Sequence, residues 1–445
     1  MSTSIVLPSP IQDGLTLPPE MTDYIIDFLH EDKSSLRSCS LVASTFVTSS
    51  QLHLFRTLSF IGRAPTGFTY IVPFFRKHPH LKSHVQDIHI VGDEQKPDGK
   101  TNGICICVIA NILSTFPYLR VFTISYVCLR YNKCCSSLQT QPFLPIDITR
   151  LGLKAIDDEL ANPGCPYVIT LLRLFKSIQS LHVVDVWPLV DTETPLDWGP
   201  PLSRLTLTGR DLGVIPPFAH ILTAHNMLGD LKQLKIACGD WGESDDAAAI
   251  IKASAKSIIH LTLDVASLIW SVVHAESRDS DAILVTDILT NSNRWKFLGL
   301  SSCHSLKSIE ISIILVSRWG AYTGGAAIRN VLGPRSFQYM LNLLSEIPNS
   351  VEEITIFFRL TRSQHMDAIS QDLDWDGLAR LIFSFPEIKI ANLILSSDSN
   401  AFKGVAVSCQ EIVQAALRSS TREREGVIRV SIQYGDYKEL VQYWR

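Results

Sequence analysis

The sequence has no marked excess of either charge. Its 40 Lys and Arg face 44 Asp and Glu, a net of −4. A nucleic-acid-binding surface built on a basic field is therefore not expected. Long apolar runs are also missing. Ile104–Leu113 comes nearest to a membrane helix and falls short of the ~18 residues one needs, so no membrane partner is expected. Met1–Ile11 has no basic start followed by an apolar stretch, which argues against a secretory signal. The expected location is intracellular, in cytoplasm and/or nucleus. Cysteine is present without pairing: Cys105-x-Cys107 lies in an apolar helical pattern, Cys134 and Cys135 are adjacent, and no Cys-x-x-Cys occurs. Free, buried thiols are expected.

Catalytic signatures are missing as well. The chain has no Gly-x-Ser-x-Gly elbow, no Gly-x-x-x-x-Gly-Lys phosphate loop and no His-Glu-x-x-His zinc helix. Asp372-x-Asp374-x-Asp376-Gly377 opens like a calcium loop, but its twelfth position is Phe383 where a bidentate Glu is required. Asp376 is instead expected to cap the following helix. The expectation is a non-enzyme with no catalytic residue, no metal and no cofactor.

What is there begins at Leu17. Pro18 and Pro19 suit the first turn of a helix, where an amide hydrogen would lack a partner anyway. Glu20 and Asp23 sit near its positive end. Ile25, Ile26 and Leu29 are then expected on one face. Asp32 is placed to cap a second helix carrying Leu36 and Cys39, and Leu41, Val42 and Phe46 continue into a third. So many apolar side chains in so short a segment need a partner, either the rest of the chain or another protein. The residues expected to meet it are Leu17, Pro18, Ile25, Ile26, Leu29, Leu36, Val42 and Phe46.

These residues carry a resemblance. Leu17-Pro-Pro-Glu, Tyr24-Ile-Ile-Asp-Phe-Leu and Leu36-Arg-Ser-Cys-Ser-Leu-Val42 resemble the F-box of large fungal families, over about Leu17 to Arg56. The family usually continues Val-Cys-Arg-x-Trp; here the chain reads Val42-Ala43-Ser44-Thr45-Phe46. The resemblance implies a Skp-type adaptor as partner, and through it cullin and RING subunits. The rest of the chain would then select a protein substrate for ubiquitin transfer.

From Phe55 onward an apolar-x-x-apolar-x-apolar pattern recurs twelve times, from Phe55/Leu58/Phe60 and Val85/Ile88/Ile90 to Ile390/Leu393/Leu395 and Val427/Val430/Ile432. The early repeats are about 24–34 residues long and the later ones about 37–48, as expected for one strand and one helix each. Helical spacing precedes many strands, at Ile104–Phe116, Tyr167–Ile178, Asp246–Ala255, Phe337–Glu346, Leu378–Phe385 and Gln410–Arg418. Pro117, Pro348 and Pro386 then break the chain. This order implies parallel strands with helices outside. A closed eight-stranded barrel buries both strand faces. Here the residue between the last two apolar positions is mostly polar: His89, Thr123, His182, Thr206, Lys235, Thr262, Glu310, Thr355 and Ser431. An open horseshoe is therefore favoured. This part is loosely similar to leucine-rich repeats, without their usual Asn or Cys; Arg210 and Gly239 stand in two of those places.

The expected fold class is α/β, α+β overall: a small helical F-box followed by an open leucine-rich-repeat-like solenoid. The expected organisation is a disordered tail at 1–16, adaptor-binding helices at 17–56 and a substrate-binding solenoid at 57–445. His89, Thr123, His182, Thr206, Lys235, Thr262, Glu310 and Thr355 are the candidate substrate-facing residues, joined by Trp319 and Tyr322 in a glycine-rich insertion. The alternative is a non-catalytic binding scaffold whose N-terminal helices only cap the solenoid.

Overall fold

The structure, a computed structural model, describes residues 18–62, 68–92, 103–130, 146–158, 167–186, 199–208, 215–237, 241–265, 296, 298–315, 332–360, 373–397, 410–411, 413–415, 417 and 427–434. Leu17, Trp319, Tyr322, Asp372, the 1–16 segment and most of the stretches 264–305, 316–336 and 362–375, which lengthen the later repeats, lie outside the described residues.

Three helices open the described chain: α1 (Pro19–Phe28), α2 (Lys33–Val42) and α3 (Ser44–Arg56). Proline at the first turn and Glu20 beside it start α1 as expected. The Asp32 carboxylate caps α2, accepting from the Ser34 amide at 3.0 Å and the Ser35 amide at 3.1 Å. α3 runs without a break into β1 (Thr57–Ile61).

From there strands and helices alternate. After β1 come α4 (Ile71–Lys77), a 3₁₀ turn (Pro79–His84) and β2 (Asp87–Val91). Next are β3 (Ile104–Cys105), α5 (Ile106–Thr115) and β4 (Val121–Arg130). Then follow β5 (Ile146–Asp158), α6 (Tyr167–Leu172), β6 (Phe175–Val184) and β7 (Leu202–Thr208). α7 (Ile215–Ala224), β8 (Gln233–Ala237), α8 (Trp241–Ser254) and β9 (His260–Asp264) continue the alternation. β10 (Ser308–Leu315), α9 (Leu332–Ser345), β11 (Glu353–Leu360), α10 (Trp375–Ser384), β12 (Ile390–Ser397) and β13 (Ile428–Tyr434) complete it.

The strands form one parallel sheet in chain order, β1-β2-β4-β5 and onward to β13, with the short β3 paired to the far end of β4. β1 and β13 are the two ends of that order, so the sheet is open rather than a closed barrel. The chain is thus a mixed α/β protein built on a large parallel sheet. All twelve apolar triplets fall on strands or their immediate approach. β3 was not expected, and neither were α4 and α7.

Side-chain alternation explains the burial. One inward row runs Ile88, Phe122, Leu151, Leu181, Leu205, Leu234, Leu261, Ile309, Ile354 and Ala391; a second runs from Ile90 and Ile124 to Ile356 and Leu393. Both rows are buried and join a single continuous core with the apolar faces of the helices, such as Ile109, Ile112 and Leu113 of α5. At about 25 cal/mol per Å² of apolar surface, this stacking of repeat on repeat is the main stabilising term.

Four sequence expectations need correction. Leu41 and Val42, expected in the third helix, end α2 instead, and only Phe46 lies in α3. The helix expected over Tyr167–Ile178 stops at Leu172, because Phe175 and Ile178 are buried as strand residues paired to β5. Asp374, not Asp376, caps α10: its carboxylate accepts from the Gly377 amide at 2.7 Å, leaving Asp376 in the first turn. The frame of the last two strands slips by two residues. Ala391 and Ile428, not Leu393 and Val430, continue the first inward row. A slip of two keeps every side chain on its face, so alternation alone cannot detect it. The place expected for Ser431 is held by Arg429.

Candidate functional site

Two surfaces stand out, one on the N-terminal helices and one on the sheet. α1 packs on α3 with an unusual face. Thr22 and Ile26 are buried there. Asp23 hydrogen-bonds Ser49, and Asp27 Oδ1 lies 2.7 Å from His53 Nε2. These positions, spaced i, i+1, i+4 and i+5, form one side of the helix. Met21, Tyr24, Ile25 and Phe28, spaced i, i+3, i+4 and i+7, form a stripe turned away from it. That stripe is open to water: Phe28 is 82 % exposed and Ile25 39 %. At the end of α2, Leu41 is 87 % and Val42 76 % exposed.

The residues expected to meet a partner divide accordingly. Pro18, Ile25 and Val42 are exposed, and Leu29 and Phe46 are half-buried. Ile26 and Leu36 are fully buried, so they hold the helices together and cannot meet a partner. Met21, Tyr24, Phe28 and Leu41, with Leu52 on α3, are exposed apolar residues that sequence spacing missed. The signal was available in Met21-x-x-Tyr24-Ile25-x-x-Phe28. Grouping Ile25, Ile26 and Leu29 on one face hides it, because Ile26 turns inward while Ile25 turns to water.

The second surface is the outward face of the sheet. The register brings His89, Thr123, His182, Thr206, Lys235, Thr262, Glu310 and Thr355 into one row across it, with Gly152 between Thr123 and His182 and Asn392 and Arg429 at the far end. All eight expected residues are half-exposed, between neighbours that are buried. A lower row on the same face holds Asp87, Arg150, Ser180, Arg204, Gln233, His260, Ser308 and Glu353. An upper row holds Lys154, Asp264 and Ser312. Reading only the middle position of each repeat left these flanking rows unseen.

Together the rows sort charge along the sheet. Arg150 and Lys154 on β5, Arg204 on β7 and Lys235 on β8 make a basic block around His182. Asp264 on β9, Glu310 on β10 and Glu353 on β11 make an acidic one. Arg150 Nη2 lies 3.3 Å from His182 Nδ1, and Lys154 Nζ sits 5.1 Å above the Tyr126 ring. Burial, then the charges of Arg150, Lys235 and Lys154, push the His182 pKa down to about 4. Burial also lowers that of Lys235, against Glu310 and Asp264, and raises that of Glu310, against Lys235.

Arg359 reaches across β10 to Asp264 at 2.9 Å. At the edge where β10 to β12 begin, Glu352 accepts from Lys307 at 2.7 Å and Lys389 at 2.5 Å. These two hydrogen bonds hold its carboxyl down to about 2. A groove of about 320 Å³ spans the junction of the two charge blocks, with Arg204, Lys235, Glu310 and Glu353 in its lining. Such a surface can bind a chain segment. In the groove lining, the His260 ring nitrogen Nδ1 lies 2.7 Å from the Ser308 hydroxyl oxygen.

Among the described residues Cys39, Cys105, Cys107, Cys128 and Cys303 form no disulfide, although Cys105 Sγ lies 3.0 Å from Cys107 Sγ, and burial pushes the Cys303 thiol up to about 11. No described helix is long and apolar enough to cross a membrane.

No protein-family model matches the chain, and no curated protein matches its sequence.

Proposed function

We propose that this chain is the substrate-recognition subunit of a Skp–cullin–F-box ubiquitin ligase. Residues 17–56 form the F-box and bind a Skp-type adaptor. Residues 57–445 form an open, leucine-rich-repeat-like solenoid whose outward sheet face binds the substrate. The chain performs no covalent chemistry in this reading. It raises the effective concentration of a substrate lysine near a charged conjugating enzyme.

The orientation of α1 carries the reading. Its polar residues Asp23 and Asp27 face α3, and its apolar stripe faces water. A contiguous exposed apolar stripe is a mark of an interaction surface. A second reading, a scaffold with capping helices, draws on α3, which adjoins the 3₁₀ turn and leads into β1 while Phe55 packs on the core. Capping accounts for α3. It leaves the outward stripe of α1 unexplained.

The test is co-elution of the full-length chain with a purified Skp-type adaptor in size-exclusion chromatography. The wild type is expected to form a stable complex. Tyr24→Asp/Phe28→Asp/Leu41→Asp is expected to weaken it by more than about a hundredfold, since each large apolar side chain contributes ~1.5–3 kcal/mol on burial. The same variant is expected to keep its thermal midpoint, because those side chains already lie in water. Equal adaptor recovery by both proteins, or by neither, overturns the reading.

A further inference from the structure

The charge pattern of the outward face narrows what it binds; this step rests on the proposal that the face receives a partner. No ion pair among the described residues engages Arg150, Lys154 or Arg204. Glu310 and Glu353 likewise have no ion pair there, Glu353 meeting only the Asn392 amide at 3.4 Å. The one acid of the upper row, Asp264, is matched within the chain by Arg359, and the two lysines at the strand-starting edge are matched by Glu352. What stays unmatched is therefore basic over β5–β7 and acidic over β10–β11. The groove joins the two.

We propose that this face binds an extended acidic-then-basic segment of a partner protein laid across the strands. Its carboxylates sit over Arg150, Lys154 and Arg204, and its ammonium or guanidinium groups over Glu310 and Glu353. The two blocks are about four strand spacings apart, roughly 20 Å. About six extended residues span that distance. The order of charge is the recognition element: a segment with the same composition in mixed order places like charges together at both ends. His182 adds no charge to this block near neutral pH, since burial first and then Arg150, Lys235 and Lys154 disfavour its proton.

The test uses the full-length chain and fluorescence anisotropy with two labelled peptides. One has a run of glutamates, a Gly-Ser spacer of about six residues and a run of lysines. The other has the same composition with Glu and Lys alternating. The block peptide is expected to bind at least about tenfold more tightly, and added salt to weaken it. Arg150→Glu/Arg204→Glu should reduce its binding by about tenfold or more, and Glu353→Lys should reduce it to a lesser extent. These side chains are exposed, so circular dichroism should be unchanged. If the double variant still unfolds, Arg204→Glu alone gives the same readout. Equal binding of the two peptides overturns the inference, as does block-peptide binding that neither reversal weakens. Adaptor co-elution on the same preparations separates the two proposals. Adaptor binding without peptide selectivity removes only this inference. Peptide selectivity without adaptor binding removes only the ligase assignment.

Discussion

His182 is the residue of the sheet face whose chemistry its neighbours change most. An unfolded chain would hold its imidazole near the ordinary 6.5; the folded chain holds it near 4, through burial and then Arg150, Lys235 and Lys154. Between those values the unfolded state binds more protons, so stability rises with pH there and is lost as pH falls from about 6.5 toward 4. His182→Gln is expected to flatten that part of the profile. Urea midpoints at pH 7 and pH 5 measure it: the wild type should lose more on acidification than the variant. Equal losses would show that the imidazole is protonated normally in the folded chain. The same residue also shows how function and folding compete, since every cation that makes the block attractive to a carboxylate also makes it harder to fold.

At the scale of elements, helix ends and helix faces decide the account. α10 begins where the Asp374 carboxylate takes the Gly377 amide, so Asp374→Ala is expected to weaken the helix by about 1 kcal/mol. Asp376→Ala should leave that cap in place, because the Gly377 amide is held by Asp374. Hydrogen exchange of the Trp375–Ser384 amides distinguishes them; faster exchange in the Asp376 variant alone would contradict the assignment. Sequence reading places the cap at Asp376, and the structure gives it to Asp374, because spacing does not fix which carboxylate turns back onto the backbone.

Elsewhere legibility followed the same line. The strand triplets were readable because burial of every second residue leaves a period of two. The Asp32 cap was readable because a short acid before a helical run has one local use. The frame of β12 and β13 was not readable, since a two-residue slip preserves the pattern. Nor was the outward turn of α1. Its polar residues find partners 26 positions away on α3, a contact that local spacing does not encode. The flanking rows of the sheet face were in the sequence but acquired meaning only once the register aligned them.

On the scale of the whole molecule, one open sheet carries a half-exposed polar face along its length and a three-helix unit at its β1 end. The strands pair in parallel and in chain order, and the Arg359–Asp264 ion pair ties β11 to β9 across β10. A partner can therefore be held across many strands without closing the structure around it. The N-terminal helices contribute a second, chemically different surface: apolar and small, where the sheet face is polar and long. Two such surfaces on one chain suit a bridge between two other proteins.

The measurement that reaches this claim most directly is hydrogen–deuterium exchange of the full-length chain, alone and with a Skp-type adaptor. The account predicts slowed exchange confined to Pro19–Phe28 and Lys33–Val42, with the strands unchanged. Protection along the outward sheet face instead, or no protection anywhere at saturating adaptor, would contradict it.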